Sequence, residues 1–243
     1  MPRTILNRCS RLSKRALDSC LDLFFPPYCV GCNRQGAIWC QDCVQEIEPI
    51  SGRLCPSCGL PLTSTQQCTS CRSEKLPFQA RSFAWYRGPI CRALVQLKYR
   101  PDRRLSDWLA NRLVEIVSNE AWPDATVVPV PLSRKKFNRR GYNQVDLIAS
   151  GVARKLGRPY RASALRRIRD TRSQVGLSPD ARRRNVRGAF SADGRKVRGK
   201  NILIIDDLFT TGATLLACTQ ALQSAGAEHV FALTAARADH TAF

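Results

Sequence analysis

The chain has 243 residues, 44% of them hydrophobic, enough for one medium-sized domain with a real core plus a small module. No apolar run reaches the ~18 residues of a membrane-spanning helix, and no early segment has the apolar stretch of a secretory signal, so no transmembrane segment is expected. The formal charge of +20 is uneven: residues 131–200 hold 21 Lys and Arg against 4 Asp and Glu, a net of +17, a field that attracts nucleic acid or a substrate loaded with phosphates.

Residues 1–25 predict a basic amphipathic helix. Ile5, Cys9, Leu12, Ala16 and Cys20 recur at helical spacing among Arg3, Arg8, Arg11, Lys14 and Arg15, and Pro26-Pro27 follow. It can lie on a membrane surface or act in targeting, or it can pack on the module that follows; Asp18 and Asp22, which dilute its charge, favour packing. That module, residues 26–76, carries four C-x-x-C pairs: Cys29/Cys32, Cys40/Cys43, Cys55/Cys58 and Cys68/Cys71. Repeated pairs at this spacing are zinc knuckles rather than a disulfide framework, and with no export signal they imply a reducing cytoplasm. Asn33 and Gly59 stand where each knuckle turns towards positive φ. Eight thiolates on two Zn2+ fill both tetrahedra, so the metal is structural. Two sequential four-cysteine ribbons are the default pairing, with interleaved ligands as the alternative.

Residues 77–243 read as an α/β domain. Residues 78–86 predict a first strand. Ile90, Leu94 and Leu97 mark a short helix ending at Lys98-Tyr99. Leu105, Trp108, Leu109, Leu113, Ile116 and Val117 form the apolar face of a second, ended by Trp122-Pro123. Residues 126–130 are a buried strand. Leu147, Ile148, Val152 and Leu156 give a helix that stops at Gly157. Residues 162–168 predict another strand, and Ser178-Pro179-Asp180 a helix start. Ala192-Asp193-Gly194 is expected to turn before a central strand, and residues 229–235 form the last strand. Strands alternating with helices indicate a parallel sheet.

The central stretch is N-I-L-I-I-D-D-L-F-T-T-G-A-T, residues 201–214. An apolar run, Ile202 to Ile205, suits a strand buried on both faces and places Asp206 and Asp207 at its carboxyl end, where open α/β sheets bind ligands. Thr210, Thr211, Gly212, Ala213 and Thr214 then lead into a helix that ends at Gly226. Backbone N–H groups, threonine hydroxyls and the helix dipole make this turn a phosphate cradle. It is not a nucleotide P-loop, because G-x-x-x-x-G-K-[ST] is absent and carboxylates would repel a phosphate. The acid pair makes sense if it accepts hydrogen bonds from sugar hydroxyls while the turn holds that sugar's phosphate. The stretch closely resembles the ribose-phosphate motif of type I phosphoribosyltransferases, which bind 5-phosphoribosyl-1-pyrophosphate (PRPP) with Mg2+. That resemblance implies Asp206 and Asp207 under the ribose hydroxyls and residues 210–214 around the 5′-phosphate.

Two other stretches complete such a site. Residues 131–141 form a basic loop at the same sheet edge; Ser133, Arg134, Lys135, Arg139 and Arg140 suit a pyrophosphate loop. Residues 166–187 are long and polar, as a lid over a reactive intermediate would be, with Thr171, Gln174 and Arg182 as its catalytic candidates. Neither His229 nor His240 offers itself as a general base. V-P-V-P-L from Val128, R-R-G-Y-N-Q ending at Gln144, T-x-x-Q from Thr171 and R-x-x-N from Arg182 precede the acid pair, with L-K-Y at Leu97 and the cysteine pairs ahead of them. In this order the motifs resemble the ComF family of competence proteins over roughly residues 20–237. The resemblance implies a phosphoribosyltransferase-like fold, a role in DNA uptake, and competence-machinery proteins as partners; it fixes no acceptor. Three readings follow: a phosphoribosyltransferase, a non-catalytic PRPP or nucleotide sensor, and a competence factor that binds single-stranded DNA.

Overall fold

A computed structural model describes residues 26–62, 68, 71, 76–171 and 179–239. The helix expected over residues 1–25, Gln174, Ser178 and His240 lie outside the described residues. After α1 (Gln41–Gln45), a short helix in the cysteine module, come β1 (Gln79–Trp85), α2 (Gly88–Tyr99) and α3 (Arg103–Asn119). Next are β2 (Thr126–Pro129), α4 (Arg134–Arg140), α5 (Gln144–Leu156) and β3 (Leu165–Arg167). Then follow α6 (Pro179–Val186), β4 (Phe190–Ala192), α7 (Gly194–Val197), β5 (Ile202–Phe209), α8 (Ala213–Ser224) and β6 (Val230–Arg237).

Four strands pair in parallel in the order β1-β6-β5-β2. The pleat sorts their side chains. Leu203 and Ile205 of β5 join one core layer with Val127, Phe231 and Leu233, while Ile202 and Ile204 join the other with Val128, Val230 and Ala232. Covered on both sides, this part of β5 presents no polar face, hence its unbroken apolar run. Helices α2, α3 and α5 build the first layer, where Leu97, Leu105, Leu109, Leu113 and Ile148 are fully buried. Each such side chain contributes roughly 1.5–3 kcal/mol over its exposed state. Gly151 lets α5 close on α3, since a methyl there would lie 2.9 Å from Ala110 Cβ. The second layer is α8 with the antiparallel pair β3–β4.

Connections around β2 and β5 diverge. From β2 the chain passes through α5 to Tyr160, which bridges in parallel to Val127 on the outer side of β2. From β5 it passes through α8, on the opposite face, to β6. A crevice at the carboxyl ends of β2 and β5 is therefore the expected ligand position.

Three local expectations change. The basic loop of residues 131–141 contains a helix: Ser133 caps α4 by accepting from Lys136 N at 3.3 Å, and Gly141 closes it at φ 77°. The strand expected over residues 162–168 shrinks to β3, preceded by a 3-10 turn at Ala162–Ala164, and pairs with β4 outside the main sheet. Ala192 ends β4, and Asp193 caps the short helix α7 in place of a simple turn. In addition, β5 runs on through Asp206 and Asp207 to Phe209.

The cysteine module packs on this frame. Val30 and Ile47 join the first core layer, and the Trp39 ring lies 4.7 Å from that of Trp108 in α3. Residues 48–50 run along the outer side of β1: Trp85 N donates to Glu48 O at 3.0 Å and Ile50 N to Phe83 O at 2.9 Å. Further on, Ala80 N donates to Ser57 O at 2.7 Å, and a methyl on Gly59 would lie 2.4 Å from the Ala80 oxygen. Among the described residues no helix is long and apolar enough to cross a membrane.

Candidate functional site

A cleft of about 220 Å3 opens where β2 stops and β5 continues. On β5, Asp206 and Asp207 are 9% and 8% exposed. Asp206 Oδ1 accepts from the Asp207 backbone N at 2.9 Å. Asp207 Oδ2 accepts from Gln144 Nε2 at 3.0 Å and lies 3.3 Å from Lys98 Nζ. These contacts divide the pair. Burial and the charge of Asp207 raise the Asp206 pKa well above the usual carboxylate range. Burial also opposes ionisation of Asp207, but Lys98 and the Gln144 amide outweigh it and hold its pKa low. At neutral pH the cleft floor thus carries one firm negative charge and one reluctant one.

Beyond the acids, Gly212 stands at φ 75° ahead of α8. Only a residue without Cβ fits easily there, because a methyl would lie 2.9 Å from Phe209 Cζ. Thr210 and Thr214 line the cleft, and Thr211 Oγ1 accepts from Ala213 N at 3.5 Å. The N-terminal end of the α8 dipole gives this turn anion-binding character.

Four cations ring the cleft: Lys98 from α2, Lys136 and Arg140 from α4, and Arg167 from β3. Arg140 Nη1 donates to Gln144 Oε1 at 2.8 Å, and Tyr142 Oη donates to the Leu97 carbonyl at 2.5 Å. The L-K-Y and R-R-G-Y-N-Q motifs therefore meet at Asp207. Burial, followed by Arg167, Arg140 and Lys98, lowers the Lys136 pKa, and burial lowers that of Arg167. Four crowded cations facing two carboxylates leave a surplus of positive charge suited to a multiply charged phosphate.

Of the residues expected to form a pyrophosphate loop, Arg140 lines the cleft and Ser133 caps α4, while Arg134, Lys135 and Arg139 are exposed and do not line it. Thr171 accepts from Arg167 Nη2 and so sits one residue behind the cleft. Arg182 lies on α6 and does not line it. Lys98, Lys136, Gln144 and Arg167 are site residues that the sequence does not single out; the first three lie in the family-like motifs or the basic loop, and Arg167 lies at the start of the lid-like stretch, where nothing sets it apart from Arg166 and Arg169.

The eight cysteines gather as two sequential groups, Cys29, Cys32, Cys40 and Cys43, and Cys55, Cys58, Cys68 and Cys71, with the ligand atoms of each group within 4.8 Å of one another. Sequential pairing, not interleaving, is what the fold builds. Separations of 3.6 Å for Cys29–Cys40 and 3.5 Å for Cys58–Cys68 suit a tetrahedron of ~2.3 Å Zn–S bonds, whose sulfurs lie ~3.8 Å apart. Asn33 and Gly59 take positive φ at 63° and 72°, as each knuckle requires.

Comparison with known proteins matches residues 20–72 to a double zinc ribbon domain and residues 147–242 to a phosphoribosyl transferase domain. The chain is 34% identical to DNA utilization protein YhgH of Escherichia coli (strain K12), covering 73% of this chain and 81% of that one. It is 30% identical to competence protein F of Haemophilus influenzae, over 82% of this chain and 90% of that one. With competence protein ComFC of Bacillus subtilis the identity is 29%, over 72% and 74%. A solved phosphoribosyltransferase from Corynebacterium diphtheriae covers 60% of this chain and 71% of its own, at 23% identity and a TM-score of 0.36, too loose a likeness to inform the site.

Proposed function

This chain belongs to the ComF family, a phosphoribosyltransferase domain behind a double zinc ribbon, and we propose that it binds PRPP with Mg2+ in the cleft at the end of β5, in the service of DNA uptake or the use of imported DNA products. One observation carries the proposal: a buried acid pair, a left-handed glycine turn opening a helix, and four cations share one cleft. Asp206 and Asp207 accept from the ribose 2′- and 3′-hydroxyls. The turn of Thr210, Thr211, Gly212, Ala213 and Thr214 holds the 5′-phosphate, and Lys98, Lys136, Arg140 and Arg167 face the pyrophosphate. The carboxylates are hard oxygen donors of the kind Mg2+ takes, and together with the ligand's phosphates they would hold it. Bound there, Mg2+ would neutralise charge on the departing pyrophosphate.

In transfer, the bond from the anomeric carbon to pyrophosphate breaks and its electron pair leaves with pyrophosphate. An acceptor forms the new bond to that carbon and releases its proton to solvent. A carboxylate beneath the ring stabilises the positive charge that develops, and the cations stabilise the leaving group. Thr171, Gln174 and Arg182 are the proposed lid-side contributors; the bond from Arg167 to Thr171 supports a link between lid and cleft.

A second reading coexists with the first. Tyr99 and Phe137 are 70% and 48% exposed, each beside a cleft cation in sequence: Lys98 and Lys136. Cations interleaved with exposed aromatic rings suit single-stranded DNA, whose bases stack while its phosphates are neutralised. Titrating PRPP into the zinc-loaded chain, with and without Mg2+, tests the first reading. Saturable one-to-one binding strengthened by Mg2+ is expected; no binding in either condition refutes the pocket assignment.

A further inference from the structure

The second ribbon reaches the phosphate turn through two buried side chains. Arg237, at the end of β6, is 2% exposed, and its Nη1 donates to the carbonyl of Cys58. Its guanidinium carbon lies 4.0 Å from the centroid of the Phe209 ring. Phe209, 3% exposed, is the last residue of β5 and the register partner of Arg237. Its ring fills the space beside Gly212, where a methyl would meet Cζ at 2.9 Å and Cε1 at 3.3 Å. A buried guanidinium is an expensive way to fill a core, and here its Nε has no partner. What the side chain does provide is a rigid fork that can bond a carbonyl and lie on a ring at once, which lysine cannot do.

We propose that Arg237 and Phe209 are positioning residues: through them the second ribbon holds residues 210–216 in the geometry that binds phosphate. The first ribbon has no part in this. Its contacts run to the other layer, with Trp39 against Trp108 of α3 and the Gly31 carbonyl accepting from Arg92 of α2. The functional consequence rests on the phosphoribosyl reading: zinc in the second ribbon and phosphate in the turn strengthen each other's binding by one factor, because coupling between sites is reciprocal.

Deuterium exchange on the full zinc-loaded chain reads the positioning directly. In Arg237→Gln, amides of residues 213–216 are expected to exchange about tenfold faster, equivalent to ~1.4 kcal/mol of local opening. Residues 126–129 should stay at the wild-type rate with two zinc ions still bound. Cys68→Ser should reproduce the change and Cys32→Ser should not. Should Arg237→Gln fail to fold, Phe209→Leu, which keeps apolar volume but offers the guanidinium no ring face, must show the same local loosening. Wild-type exchange at the turn in whichever variant folds, or equal loosening in Cys32→Ser, overturns the proposal. PRPP calorimetry on the wild type is the separate arm: a loosened turn with no PRPP binding in the wild type refutes the phosphoribosyl reading and leaves the positioning standing.

Discussion

The acid pair makes opposite demands on stability, and this can be measured one residue at a time. Asp207→Asn replaces a carboxylate that accepts from Gln144 at 3.0 Å and faces Lys98 at 3.3 Å. Bonds to a charged group are worth ~1.5–3 kcal/mol and neutral ones ~1, so two such bonds put the loss at about 1–4 kcal/mol. The Lys98 side chain keeps 22% of its surface in solvent, which softens the penalty of leaving it unpaired and favours ~2 kcal/mol. With a urea slope of ~1–3 kcal/mol/M, the unfolding midpoint should fall by roughly 1 M. Asp206→Asn is expected to leave stability unchanged or raise it, because it removes a carboxylate whose ionisation burial already disfavours. The pH dependence follows with opposite signs. The raised folded pKa of Asp206 favours the folded state below its unfolded value near 3.9, and that contribution is lost as pH rises through the folded value. The lowered pKa of Asp207 contributes stability above pH ~3.9, lost as pH falls through its folded value. Urea titrations of both single variants between acid and neutral pH check this; equal destabilisation by the two substitutions at neutral pH would refute the division of charge. In the double variant PRPP affinity should drop roughly ten- to a hundredfold, since ~1.4 kcal/mol is tenfold.

Other expectations follow from the same geometry. Elemental analysis of chain purified without chelators should give two zinc ions per chain; one or none would contradict the two sequential groups. Gly212→Ala should lower the melting temperature and weaken ribose-5-phosphate binding together, because its φ of 75° and the 2.9 Å approach to Phe209 are both unfavourable to a methyl. A variant that keeps wild-type phosphate affinity argues against the turn as the cradle. Single-stranded DNA affinity should fall steeply with salt, and Tyr99→Ala and Phe137→Ala should each weaken it by ~1–3 kcal/mol at fixed salt. Affinity indifferent to salt counts against the basic surface, and indifference to both substitutions counts against stacking.

Much of this was legible because the signals are local. Four C-x-x-C pairs announce ribbons, and Ile202 to Ile205 followed by two acids and a threonine–glycine turn announce a strand, a site and a helix start. The pairing of the cysteines needed three dimensions, since spacing alone permits two arrangements. Residues that reach the site from elsewhere were harder. Lys98 lies 109 positions before Asp207 in the chain, and only the docking of α2 brings its ammonium to that carboxylate. Gln144 is shielded from view by standing in a motif whose arginines draw attention first. In residues 131–141 the charge suggested a loop, yet Arg and Lys are good helix formers, and Ser133 and Gly141 supply both caps. The strand β4 has three residues and no room for an alternating pattern.

The segment at residues 48–50 has a consequence for anyone who cuts this chain. β1 is the last strand on its side of the sheet, and its free backbone groups at Phe83 and Trp85 are taken by Ile50 and Glu48. An uncovered edge strand is a template for pairing with another copy. Removing residues 26–76 to obtain the phosphoribosyltransferase-like domain alone would strip that cover and also uncover Ala84 and the Trp108 ring. The excised domain should therefore self-associate through β1, so a failure to obtain it as a monomer would reflect a missing neighbour, whatever its intrinsic foldability.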